Sequence, residues 1–82
     1  GPTDRDGNNA LGRSGSYKLL AEALADRGIA TVRIDKRGMF SSAAAGDPNR
    51  ASISLYAEDV KSWVAAARAA TGARCVWLAG HS

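Results

Sequence analysis

The sequence predicts an alternating α/β fold with parallel strands, in the order loop, helix, strand, loop, helix, strand. Three observations carry this expectation. Two stretches repeat apolar residues at helical spacing. A short β-branched or apolar run follows each of them, and turn-forming residues separate the segments.

Residues 1–15 are rich in Gly, Asp and Asn and read as loop. In the first helix Tyr17, Leu20, Ala21 and Leu24 fall at i, i+3, i+4 and i+7, with Ser16 as the expected N-cap. Gly28 stands where a left-handed residue stops a helix, and Ile29 supplies the apolar contact that follows such a stop. Residues 29–35 read as a strand, with Val32 and Ile34 on one face and Thr31 and Arg33 on the other. Residues 35–50 form a connection longer than usual, which marks a functional or variable excursion. The second helix takes Ser54 as cap, Glu58 and Asp59 toward its positive end and Arg68 at its negative end. Its buried stripe is Tyr56, Val60, Trp63, Val64 and Ala67, and Gly72 ends it. The apolar run 74–79 then reads as a strand covered on both faces.

Composition narrows the function classes. Of 82 residues, 45% are hydrophobic and 23% charged, which is ordinary globular composition. Eleven Lys and Arg against eight Asp and Glu leave +3, spread along the chain, so no nucleic-acid partner is expected. Cys75 is the single cysteine, which excludes an intrachain disulfide and a Cys-rich zinc site. No apolar run approaches the roughly 18 residues that cross a bilayer. The chain opens on Gly1-Pro2-Thr3 and closes on Gly80-His81-Ser82 directly after an apolar run. It is therefore expected to be a partial domain over 1–82, truncated at both ends. A leader peptide is not legible, and cytoplasmic and exported locations both stay open.

Three stretches can carry chemistry. The first is Gly80-His81-Ser82: a Gly-x-Ser at the end of a buried strand is the front half of a nucleophile elbow, which lifts a serine hydroxyl clear of a sheet. Ser82 is the candidate nucleophile, against the plain alternative of a turn serine. His81 looks like a ready base, but neighbours on such a turn point apart, so packing beneath the elbow is its expected role. The second stretch, Asp4-Arg5-Asp6-Gly7-Asn8, imitates a calcium loop. With Gly7 at the sixth place, Pro2 and Arg13 fall where acidic ligands belong, so a turn network that includes Arg5 is expected instead. The third, Asp35-Lys36-Arg37, admits a dinucleotide site, but only Gly12 and Gly15 precede the first helix, and no strand comes before them. An Asp35–Arg37 turn brace is the expected reading there.

With those residues in view, the sequence resembles the α/β-hydrolase superfamily, and within it bacterial carboxylesterases of the EstD type and the serine aminopeptidase-like hydrolases. The resemblance rests on 1–8, on Leu20-Ala21-Glu22-Ala23-Leu24 through Gly28-Ile29-Ala30, on Asp35-Lys36-Arg37-Gly38 and on Gly80-His81-Ser82. It implies that the fold is part of an α/β-hydrolase parallel sheet, with 29–35 and 74–79 as its fourth and fifth strands and the third between them. The opening loop, through Gly1, would form one side of the oxyanion hole; Pro2 has no N–H to donate. Ser82 would attack carboxylic esters through an acyl-serine, with no metal or organic cofactor, and the acid and histidine of the triad would come later in the chain. Peptidase, thioesterase and amidase chemistry use the same parts, and a non-catalytic hydrolase-like binding domain is the alternative from another class. Met39-Phe40-Ser41-Ser42 departs from the glycine-rich turn of relatives, and Met39 and Phe40 fit a substrate pocket and a core cover equally. Lacking the third strand, these 82 residues alone are expected to be inactive and not stably folded.

Overall fold

The computed structural model describes residues 3–81, in which two α-helices and two short 3-10 helices follow one another. Helix α1 spans Ser16–Asp26. Gly15 rather than Ser16 occupies its cap position, without a side-chain cap. The opening loop meets the first turn instead: Tyr17 and Lys18 N–H both donate to the Asp6 carbonyl, at 3.1 and 3.2 Å. The C-terminal end is as expected. Gly28 sits at φ 79°, its N–H donates to Ala25 O, and Ile29 N–H donates to Leu24 O, both at 2.9 Å. This pair of bonds is a Schellman closure, which needs a residue free to adopt left-handed backbone.

Helix α2 spans Ile53–Thr71. Its cap is Ser52, not Ser54: Ser52 Oγ accepts from Leu55 N–H at 3.0 Å. The first turn consequently holds no acid, and Glu58 and Asp59 lie beyond it. Arg68 stands in the last turn and Gly72 follows as the stop. The 35–50 connection is more ordered than its composition suggests, with 3-10 helices at Phe40–Ala45 and Pro48–Arg50. Arg37 Nη1 donates to Ala45 O at 2.7 Å, and the Asp47 side chain accepts from Asn49 N–H at 2.9 Å.

The expected parallel sheet is absent from the described residues. Neither 29–35 nor 74–79 forms a strand, and no backbone hydrogen bond joins them. A strand exists only through the N–H and C=O groups of a neighbour, and β-branched composition cannot replace that neighbour. Trp77 is 93% exposed, so 74–79 is not covered on both faces either. The helical stripes point as expected but meet little. Tyr17, Ala21 and Leu24 of α1, and Tyr56, Val60, Val64 and Ala67 of α2, are half-buried. Leu20 and Trp63 from the same stripes are exposed. Full burial of a large apolar side chain contributes roughly 1.5–3 kcal/mol, and no apolar side chain among the described residues reaches it.

Candidate functional site

The opening loop is held by its own side chains. Asp4 Oδ1 accepts from Asp6 N–H and Asn8 N–H, both at 2.9 Å, and Asn8 Oδ1 accepts from Gly15 N–H at 2.8 Å. This is the turn network its Asp and Asn content predicts, except that Arg5 leaves it and bonds Asp35 instead. Gly7, at φ 90°, packs directly on the start of α1. A Cβ there would lie 2.6 Å from Ser16 Oγ and 2.8 Å from Tyr17 N, so only glycine permits the approach.

Asp35 does not brace Arg37. Its side chain turns inward onto Arg5, 30 residues away: Arg5 N–H donates to Oδ1 at 2.8 Å, and Arg5 Nε and Nη2 donate to Oδ2 at 3.0 and 2.8 Å. Ser41 N–H also donates to Oδ2 at 3.2 Å, and Ser42 Oγ–H to the Asp35 carbonyl at 2.8 Å. At 5% exposure, Asp35 is the buried charged residue among those described. The Arg5 guanidinium, aided by the Arg5 and Ser41 amides, holds its carboxyl below the usual carboxylate range, against the opposing pull of burial. With its oxygens so engaged, Asp35 does not present them to a ribose, which removes the observation behind a dinucleotide site.

Arg37 instead clamps Asp59 of α2 in a two-pronged pair, Nε to Oδ2 at 2.9 Å and Nη2 to Oδ1 at 2.6 Å. That pairing holds the Asp59 carboxyl below its usual range. Arg33 pairs with Asp6 of the opening loop. Two cation–carboxylate links, Arg5–Asp35 and Arg33–Asp6, therefore fasten the loop to the 29–35 segment.

His81 is exposed rather than packed beneath a turn. Its Nδ1 shares a 2.9 Å hydrogen bond with the Tyr17 hydroxyl, and the rings meet edge to face at 82° and 6.1 Å. Gly1, Pro2 and Ser82 lie outside the described residues. Phe40 is exposed and Met39 half-buried, so neither covers a core. Tyr17 is the site residue that sequence reasoning missed. It sits in the apolar stripe of α1, and its hydroxyl at the first helical turn was the one available signal.

These contacts gather the opening loop, the start of α1 and the residue before Ser82 in one place. The family model described as serine aminopeptidase, S33, matches residues 11–82, which includes Asp35-Lys36-Arg37-Gly38 and Gly80-His81-Ser82. No curated protein and no solved structure matches the chain.

Proposed function

The chain belongs to the serine aminopeptidase S33 family of the α/β-hydrolase superfamily, and on that premise we propose that it supplies the nucleophile of a serine hydrolase acting on carboxylic esters. Ser82 Oγ attacks the ester carbonyl carbon, and its proton passes to a histidine later in the full-length protein. The carbonyl oxygen takes the negative charge and is held by backbone N–H groups, one beside Gly1 in the opening loop and one following Ser82. The C–O bond to the alcohol breaks, the alcohol leaves with the histidine's proton, and water then releases the acid from the acyl-serine.

One observation supports this reading: Tyr17 bonds both stretches from which the proposed site would be built. Its N–H donates to the Asp6 carbonyl of the opening loop at 3.1 Å, and its hydroxyl bonds His81, the residue before Ser82. A serine hydrolase needs its oxyanion loop and its nucleophile close together, and these contacts accord with that need. The family description favours a second reading, hydrolysis of an aminoacyl amide. Turnover of short-chain nitrophenyl esters and aminoacyl nitroanilides by the full-length protein separates the two. The ester reading expects faster ester turnover that is lost in Ser82→Ala; equal ester turnover by wild type and Ser82→Ala would overturn it.

A further inference from the structure

We propose that Asp35 is a positioning residue for the reaction, setting the backbone of the opening loop through Arg5; this rests on the reading of that loop as one side of the oxyanion hole. Its contacts exceed those of an ordinary ion pair. One carboxylate oxygen accepts the Arg5 main-chain N–H, and the other accepts the two prongs of the same residue's guanidinium. Side chain and peptide plane of Arg5 are thus gripped by one group, which fixes the loop's orientation four positions after Gly1.

The grip is itself rigid. Ser41 N–H also donates to Asp35 Oδ2 and Ser42 Oγ–H to the Asp35 carbonyl, and Phe40 lies in left-handed backbone at φ 48° immediately before Ser41. A phenylalanine there is strained, and such strain persists only where its surroundings enforce it. Within the loop the Asp4 carboxylate serves Asp6 and Asn8 and the Asp4 carbonyl accepts from Gly7 N–H at 3.1 Å, while the Asp6 carbonyl serves α1; the Arg5 N–H and guanidinium go to Asp35. Asp35 is therefore the group from outside the loop that sets how the Asp4–Arg5 peptide is turned. A buried carboxylate with its hydrogen bonds filled leaves little freedom to shift.

Oxyanion donors act at the transition state, where a misplacement of about 1 Å can cost roughly 100-fold in rate. Asp35→Asn keeps the shape but turns one acceptor into a donor facing the Arg5 guanidinium. In the full-length protein it is expected to lower kcat on a short acyl ester about 10- to 100-fold with KM changed less than about threefold. Affinity for a boronic acid, which forms a tetrahedral adduct on serine, should fall by a similar factor. Arg5→Lys, which keeps the charge and the main-chain N–H but loses the fork, should lower kcat less and in the same direction. It also decides the matter if Asp35→Asn does not fold.

A folded Asp35→Asn, or Arg5→Lys in its place, with kcat and boronate affinity within twofold of wild type overturns the inference. So does a rise in KM at unchanged kcat. Fluorophosphonate labelling of wild type separates this from failure of the reading beneath it. A labelled, active wild type with indifferent variants removes only the positioning role, whereas a wild type without a reactive Ser82 removes both.

Discussion

Tyr17 and His81, 64 positions apart, meet through a 2.9 Å hydrogen bond that ties the first turn of α1 to the end of the 74–79 segment. The same Tyr17 donates its N–H to Asp6. One residue of the helix thus serves the loop with its backbone and the proposed elbow with its side chain.

Neighbouring residues on a nucleophile turn point apart, so His81 is expected to be dispensable as a base. A neutral hydrogen bond near the surface contributes about 0.5–1.5 kcal/mol, which bounds the effect near tenfold in rate. His81→Gln and Tyr17→Phe in the full-length protein should each retain at least about a tenth of wild-type kcat. A folded His81→Gln as inactive as Ser82→Ala would make His81 the base and contradict this assignment.

Acid should loosen the loop. Arg5 holds the Asp35 carboxyl below its ordinary value of 3.8 in the folded state. A lowered folded pKa contributes stability that is fully present above the unfolded value and is lost as pH falls below it, through the folded value. Between pH 7 and 5 this contribution is constant; below about pH 4 it declines. Urea midpoints of the full-length protein and of its Asp35→Asn variant should therefore differ most above pH 5 and converge toward pH 3. Parallel curves over that range would contradict the pairing.

By itself the 82-residue chain is expected to be helical without cooperative tertiary structure. It buries no apolar side chain fully among the described residues. Each backbone polar group buried without a partner costs about 1–3 kcal/mol, against a net stability of only about 5–15 kcal/mol for a typical domain. Circular dichroism should show helix with a broad, non-cooperative melt, and amides of 30–35 and 74–79 should exchange freely. A sharp melt with protected amides in both segments would contradict this.

What the sequence disclosed follows the range of the interaction. The Gly28 closure of α1 and the Gly72 stop of α2 were legible because a helix end is decided within one turn. Ser52 and Ser54 are equal candidates by type, and only the position of the first helical residue, Ile53, separates them. The Asp35 partner was misjudged because Arg37 is two residues away while Arg5 is 30 away, and spacing reports only the near one. The strands were misjudged for a related reason. Residues 29–35 and 74–79 have the composition of strands, but pairing is a property of the neighbour. The Gly80-His81-Ser82 run was readable as three adjacent residues, and the Tyr17–His81 contact was not.

The most direct measurement is the labelling of the full-length protein by a fluorophosphonate, with the modified residue located by peptide mass spectrometry. The predicted result is a single phosphonylated serine at position 82, no labelling in Ser82→Ala, and loss of ester turnover on the order of 10⁶-fold in that variant. Labelling at another serine, or equal labelling of wild type and Ser82→Ala, would contradict the assignment of Ser82 as the nucleophile.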